Sequence, residues 1–157
     1  GIEESYPDTL SGEEIPVFIA CEKADAYRQT MHSDELIITA DTIVWLDGLV
    51  MGKPEDEEDA RRMLRCLSGK THQVITGVCL TTTEFQKSFA TVTDVTFAEL
   101  TEEEIDYYVQ KYKPMDKAGS YGIQEWIGFV GVEGITGSYF NVMGLPIQRL
   151  YKELKKL

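Results

Sequence analysis

The chain has 157 residues, which favours a single domain, and its 27 acidic against 15 basic residues give a formal net charge of −12. This balance argues against a nucleic-acid backbone as the main partner, because lysine and arginine make most phosphate contacts. No apolar run is long enough to span a membrane, and the first residues do not follow a signal-peptide pattern. The three cysteines show no CxxC spacing, which favours a reducing cytoplasm over a disulfide framework or a zinc site.

The first half of the chain predicts a helix followed by strands. Ser11 and Glu14 match a helix-capping box, and an apolar stripe at steps of three and four residues carries this helix to about His32. The apolar runs at residues 36–38 and 43–46 predict a buried strand pair, and the Asp47-Gly48 dipeptide predicts a hairpin turn after them.

Helices and strands are interspersed through the rest of the chain as well. Acids at residues 55–59 open a second helix, and Gly69 ends it. Two long paired strands follow, and a second capping box at Thr101 and Glu104 opens a third helix. Residues 114–144 are rich in glycine and predict short strands and tight loops, before a last helix that follows Pro146. The order predicts an α/β or α+β class with a mixed sheet.

Asp41 stands between the two apolar runs, where an ionised carboxylate costs several kcal/mol unless it is paired or bound to a metal. One interpretation is a helix cap or a turn residue. The other is a metal ligand or general base at the end of a strand, with the hydroxyl of Thr42 beside it. The two histidines are far apart in sequence, so any metal should be oxygen-bound Mg²⁺ or Mn²⁺.

Two lysines could accompany this acid. Lys53 follows the predicted hairpin, whose antiparallel arms would return it close to Asp41, an arrangement that suits a metal–phosphate site. An exposed lysine before a proline is the common alternative. Lys23 flanks the apolar stripe of the first helix, where extension of its ammonium into water is the simpler interpretation.

A denser group of polar residues lies in the stretch PMDKAGSYGIQEWIG at residues 114–128. Asp116, Lys117 and Gln124 stand there among small residues. A glutamine amide offers one donor side and one acceptor side, which suits recognition of the edge of a nucleotide base. Solvated loop charges are the alternative.

Four segments in this order, ADTIVWLDGLVMGKP, MLRCLSGKTHQVITGV, DKAGSYGIQ and GSYFNVMGLP, resemble the successive blocks of Maf proteins. These nucleotide pyrophosphatases were once called septum-formation inhibitors. The resemblance covers most of the chain from about Ile2 onward. The ADT and YGIQ versions are similar to the branch that hydrolyses dTTP and UTP, and differ from the branch that acts on 7-methyl-GTP.

The resemblance implies a role for each matching residue. Asp41 matches the catalytic proton acceptor and metal ligand, and Glu4 matches an acid at the edge of the site that assists the metal. Thr42 and Gln124 match positions linked to base specificity. The lysines at matching substrate-binding or site-shaping positions are Lys23, Lys53 and Lys117.

The implied fold is a single α/β domain over residues 1–157, similar to inosine triphosphatase, with an elongated, mixed, twisted sheet, flanking helices and a cleft between two lobes. The implied reaction hydrolyses dTTP, UTP or modified pyrimidine nucleotides to monophosphate and pyrophosphate with a divalent metal. The family often forms dimers, which implies a possible homodimer here. The alternative is a non-catalytic nucleotide-binding or cell-division regulatory protein, which would keep the cleft and lose the chemistry.

The opening block of the family, roughly Ser-x-Ser-Pro-Arg-Arg, has no counterpart in residues 1–157. We therefore expect a domain that is truncated at its N-terminus relative to the family. Because the two arginines of that block would bind phosphates through charge-assisted hydrogen bonds, we expect residues 1–157 alone to hydrolyse dTTP slowly or not at all.

Overall fold

The computed structural model describes residues 5–157, in which helices and strands are interspersed as predicted. The strands are β1 Ile37–Leu46, β2 Leu49–Met51, β3 Thr71–Thr81, β4 Gln86–Phe97 and β5 Val132–Thr136. The helices are α1 Glu14–Arg28, α2 Glu57–Leu67, α3 Glu102–Tyr112, α4 Trp126–Gly131, α5 Tyr139–Met143 and α6 Ile147–Leu154, and a short 3-10 turn covers Ala118–Ser120. The predicted α/β class is confirmed.

The five strands form one sheet in the order β2-β1-β3-β4-β5. Each pairing within the described residues is antiparallel, so the parallel pair that a mixed sheet would contain is not among them. The predicted β1–β2 hairpin is confirmed, with Leu46 opposite Leu49. Asp47 and Gly48 both have positive φ, at 49° and 82°, as a tight two-residue hairpin turn requires.

The prediction of a break around Asp41 is wrong. One continuous strand, β1, contains both apolar runs, and its pairing with β3 extends from Ile37 opposite Thr81 to Trp45 opposite Gln73. Asp41 is therefore neither a cap nor a turn residue, and it lies in the middle of a strand instead of at its end. The expected burial of the first run is also wrong, because 43% of the Ile38 side chain is exposed.

The first helix differs from its prediction at both ends. The capping box does not form, because Gly12 has a φ of +55° and the chain makes a turn there before α1 begins at Glu14. The helix ends at Arg28 instead of near His32. Its buried residues are Ile15, Pro16, Ile19, Ala20 and Ala24.

The second and third helices follow their predictions. The side chain of Asp56 caps α2 by accepting from the backbone N–H of Asp59 at 2.7 Å, and Gly69 adopts a φ of +70° just beyond its end. Thr101 and Glu104 form the predicted capping box of α3. Short local signals determine these ends, which explains why the sequence predicts them well.

Helices cover both faces of the sheet. Odd-numbered residues of β1 and β3 point toward α1, and Ile43 and Ile75 pack there against Ile15 and Ile19. Even-numbered residues point toward the other helices. The main core on that face contains Val44, Leu46, Ala60, Met63, Leu64, Leu67, Val74, Val95, Phe97, Ile105, Tyr108, Val109 and Ile127, and Leu150 of α6 packs at the far end against Val78, Leu80 and Phe89. None of the helices in residues 5–157 is long and apolar enough to cross a membrane.

Candidate active site

A cleft of about 810 Å³ opens along β1. One side is formed by α1 and β1, and the other by residues 116–118 and 121–125, while the end of α5 closes its floor. Each predicted site residue in the described part of the chain lines this cleft, namely Lys23, Asp41, Thr42, Lys53, Lys117 and Gln124. Glu4 lies outside the described residues. The structure thus brings together six residues that are spread over 102 positions in sequence, from position 23 to position 124.

Asp41 is held on the α1 face of the sheet by strand pairing. It lies opposite Gly77 of β3, and only 8% of its surface is exposed. Directly opposed residues of antiparallel strands point to the same face, so Gly77 leaves open the space that a side chain would fill next to this carboxylate.

That space is filled by the start of α1. A Cβ on Gly77 would lie 2.3 Å from the carbonyl carbon of Pro16 and from the backbone nitrogen of Val17. The helix therefore lies directly on the sheet, and two turns later it carries Lys23 to the acid. Lys23 Nζ donates to Asp41 Oδ1 and to the carbonyl oxygen of Ala40, both at 3.4 Å. Lys23 thus forms an ion pair with Asp41, a contact that extension into water alone would not make.

Thr42 follows Asp41 in sequence but points to the opposite face of the sheet. Its hydroxyl shares a hydrogen bond with that of Thr76 at 2.9 Å and donates to the carbonyl oxygen of Gly144 at 3.4 Å. Because Gly144 follows α5, these bonds join β1 to the floor of the cleft. The hydroxyl is therefore engaged in structural contacts at the edge of the cleft.

Two further lysines lie at the mouth of the cleft. Lys53 is exposed just beyond β2, and Lys117 Nζ donates to Asp116 Oδ1 at 3.2 Å. The hydrogen bond from Lys117 is the main cause of a lowered pKa of Asp116, and the charge of Lys53 lowers that pKa further. The charges of both lysines therefore act on the carboxylate of Asp116 at the cleft.

A buried tyrosine of α3 fixes the opposite wall of the cleft. Tyr108 of α3 donates its hydroxyl to Glu125 Oε1 at 2.6 Å and accepts from the backbone N–H of Gly122 at 3.0 Å. Burial and the bond to Glu125 raise the pKa of Tyr108 well above its usual range. Gln124 lies between these two anchors and is exposed to the cleft.

Glu125 and Tyr108 are thus site residues that sequence reasoning missed. Glu125 had a usable signal, since it is an acid directly after Gln124 in a glycine-flanked segment. Tyr108 had no such signal in the sequence, because a tyrosine on the apolar face of a helix predicts only core packing.

The cleft fits a cation that is shared with a substrate better than one enclosed by protein ligands. Within residues 5–157 there is no group of three His, Cys, Asp or Glu side chains that could hold a metal. Asp41 nevertheless supplies a nearly buried carboxylate at the cleft. Magnesium is commonly held by one or two carboxylates together with the phosphates of a substrate, so Asp41 fits that mode of binding.

A nearly buried acid, three lysines and an exposed amide thus line one cleft. Comparison with known proteins gives the family. The family model for Maf-like protein matches residues 1–157, and the chain belongs to that family.

Several relatives are similar over nearly the whole chain. The chain is 80% identical over 157 residues to a dTTP/UTP pyrophosphatase of Phocaeicola vulgatus, covering 100% of this chain and 81% of that protein. It is 68% identical over 156 residues to one of Bacteroides thetaiotaomicron, covering 99% and 81%. It is also 54% identical over 156 residues to one of Porphyromonas gingivalis, covering 98% and 78%.

Proposed function

We propose that this protein is a nucleoside triphosphate pyrophosphatase that hydrolyses dTTP and UTP to the monophosphate and pyrophosphate. The observation that carries the proposal is the convergence of Asp41 and three lysines on one cleft, in a chain whose relatives bear this activity in their names.

The reaction needs a water molecule to attack the phosphorus next to the sugar while pyrophosphate leaves. We assign the proton of that water to Asp41, whose carboxylate faces the cleft and is held by Lys23. Negative charge builds up on the phosphate oxygens as the bond breaks. Lys23, Lys53 and Lys117 supply positive charge along the cleft, where it stabilises that change.

We infer that Asp41 would hold a divalent cation, Mg²⁺ or Mn²⁺, at the cleft. When bound, such a cation polarises phosphate oxygens and offsets their charge. The support for this assignment is the hard oxygen donor that Asp41 places at the cleft. Glu4, which lies outside the described residues, is proposed as a second donor on the family resemblance alone.

We assign base recognition to Gln124. A uracil or thymine edge presents a carbonyl acceptor beside an N–H donor, and a glutamine amide can satisfy both at once. Gln124 is exposed to the cleft, and the Tyr108–Glu125 and Tyr108–Gly122 hydrogen bonds hold the segment that carries it. Thr42 contributes by holding β1 to the floor of the cleft through Thr76 and Gly144.

The test measures pyrophosphate release from dTTP, UTP, CTP, ATP and GTP, each with Mg²⁺ and with a chelator. It uses residues 1–157 and, in parallel, the same chain preceded by a segment that contains the family block Ser-x-Ser-Pro-Arg-Arg, because added arginines would strengthen phosphate binding. We expect dTTP and UTP to be cleaved faster than the purine nucleotides. Equal cleavage of ATP or GTP would contradict the assigned specificity.

The same assay separates the enzyme from a non-catalytic nucleotide-binding protein. A nucleotide-binding regulator would bind dTTP in calorimetry and release no pyrophosphate in either form of the chain. That result would overturn the proposed function. In contrast, Gln124→Ala should lower the preference for dTTP over ATP while pyrophosphate release persists.

We also propose that the protein works in the cytoplasm as a homodimer of a single 1–157 domain. The free thiols of Cys21, Cys66 and Cys79 support a reducing compartment. Exposed apolar side chains on α5 and α6, among them Phe140 and Ile147, support association with a second copy. Sedimentation velocity tests the dimer, and a single monomeric species at micromolar concentration would contradict it.

A further inference from the structure

Two cysteine thiols meet where α1 packs on the centre of the sheet. Cys21 Sγ and Cys79 Sγ lie 3.3 Å apart although 58 positions separate them in sequence. Cys79 is fully buried in β3, and Cys21 on α1 is partly exposed. The proposed hydrolysis uses neither thiol, and neither lines the cleft.

The backbone holds these thiols together. Ala20 and Ala24 on α1 form a small buried cluster with Cys79, and their short side chains allow the helix to approach the strand closely. Thr39 of β1 donates its hydroxyl to the carbonyl oxygen of Ala20 at 2.7 Å. This bond and the close contact between Pro16 and Gly77 hold α1 in place on the sheet over the residues that precede Cys21.

The two sulfurs also influence each other's protonation. The hydrogen bond from Cys21, and a weaker effect of a hydrogen bond with Thr81, lower the pKa of Cys79 to about 7 against the opposing effect of burial. The same hydrogen bond, together with burial, raises the pKa of Cys21 well above its usual range, so Cys21 keeps its proton while Cys79 is partly ionised near neutral pH. A partly ionised pair is more reactive toward oxidants than two ordinary thiols.

We propose that Cys21 and Cys79 form a redox-modification site, which hydrogen peroxide converts into a reversible disulfide that joins α1 to β3. The exposed sulfur of Cys21 attacks one peroxide oxygen as the proton that it donates to Cys79 passes to the Cys79 sulfur. The O–O bond breaks, hydroxide leaves, and Cys21 becomes a sulfenic acid. The sulfur of Cys79 then attacks that of Cys21, the S–O bond breaks, and the departing hydroxide takes the Cys79 proton and leaves as water. Each sulfur loses one electron, and the peroxide gains two.

The disulfide should make the protein more resistant to heat. It would close a long loop of chain between α1 and β3, which constrains the unfolded state more than the folded one. We expect the oxidised protein to unfold several degrees above the reduced protein, and dithiothreitol to abolish the difference.

The site can be mapped by tryptic digestion, because trypsin separates the three cysteines. Cys21 is in the peptide that ends at Lys23, Cys66 is in peptide 66–70, and Cys79 is in peptide 71–87. The folded protein is treated with hydrogen peroxide, alkylated and digested without reductant. We expect a cross-linked species of the first and third peptides, two hydrogens lighter than their sum, that disappears on reduction.

Three variants provide the controls. Cys66→Ser, which changes a thiol on α2, should keep both the cross-link and the rise in unfolding temperature. Cys21→Ser, at a partly exposed position that tolerates a hydroxyl, and Cys79→Ala, at a buried one, should lose both. Sulfinic acid at Cys21 without a cross-link would overturn the proposal, as would a cross-link that contains Cys66 or an unchanged unfolding temperature in a cross-linked protein.

Discussion

The two faces of the central sheet bury polar groups in different ways. On the face covered by α2, α3 and α5, buried polar side chains form neutral hydrogen bonds, as between His72 and Tyr121 or between Thr42 and Thr76. On the α1 face, the nearly buried polar group of β1 is the carboxylate of Asp41, in an ion pair with Lys23 at the border of the cleft.

This difference separates side chains that hold the fold from side chains that are available for chemistry. A neutral hydrogen bond inside a core fixes two elements and leaves little capacity for a ligand. A carboxylate at a cleft, held by a lysine on a separate helix, keeps a charge where a substrate can reach it. Thr42 holds the fold and its neighbour Asp41 is available for chemistry, because successive residues of a strand point to opposite faces of the sheet.

The largest expected effect tests whether the Asp41 carboxylate takes part in the reaction. In the chain preceded by a Ser-x-Ser-Pro-Arg-Arg segment, Asp41→Asn keeps the size of the side chain but removes the proton acceptor, so we expect dTTP turnover to fall by about 10²–10⁴-fold with the fold intact. The matched control is Asp116→Asn, which changes an exposed carboxylate of the same cleft and should reduce turnover far less. Near-normal turnover in Asp41→Asn would remove this residue from the mechanism.

The second prediction concerns His72 on the helix-covered face. Burial lowers the pKa of His72 to about 4, below its ordinary value of 6.5. Between these values the unfolded chain takes up a proton that the folded chain does not, so stability is lost as the pH falls from 6.5 toward 4. The loss should reach about 2 kcal/mol of unfolding free energy by pH 5.

Urea unfolding at several pH values between 7 and 5 measures the slope of unfolding free energy against pH. His72→Gln should remove most of it, whatever its effect on overall stability. The control is His32→Gln, at an exposed position, which should leave the slope as it is. An unchanged slope in His72→Gln would show that other groups cause the acid sensitivity.

The third prediction tests how α1 lies on the sheet. Gly77→Ala places a methyl group 2.3 Å from the backbone of Pro16, so α1 must move. We expect a loss of about 1–3 kcal/mol in unfolding free energy, together with lower turnover because Lys23 moves with the helix. Gly134→Ala, on β5, is the control, since its Cβ would meet nothing within 4 Å. Equal stability of the two variants would contradict the close packing of α1.

The smallest expected effect distinguishes two threonine pairs of the same sheet. Thr42→Val removes the hydroxyl that bonds to Thr76 at the floor of the cleft and should cost about 1 kcal/mol. The control is Thr71→Val, which breaks the exposed Thr71–Thr96 pair at 2.8 Å and should change stability by less than about 0.5 kcal/mol. Thermal unfolding compares the stability of the two variants. A larger loss of stability in Thr71→Val than in Thr42→Val would contradict this prediction.

Much of the fold follows from local sequence signals. The Asp47-Gly48 turn, the capping box at Thr101 and Glu104 and the stop at Gly69 each depend on the conformation of a few neighbouring residues, so the sequence alone predicts them. The four ordered blocks likewise identify the family without any coordinates. Residue chemistry and this resemblance together point to the candidate site residues, and their proposed roles remain predictions.

Tertiary structure decided what depends on residues distant in sequence. The position of Asp41 in the middle of β1 follows from its pairing with β3, and Lys23 reaches it only because Gly77 lets α1 lie on the sheet. The contact between Tyr108 and Glu125 and the contact between Cys21 and Cys79 have the same origin. No local pattern encodes such contacts, because packing between separate elements brings these side chains together.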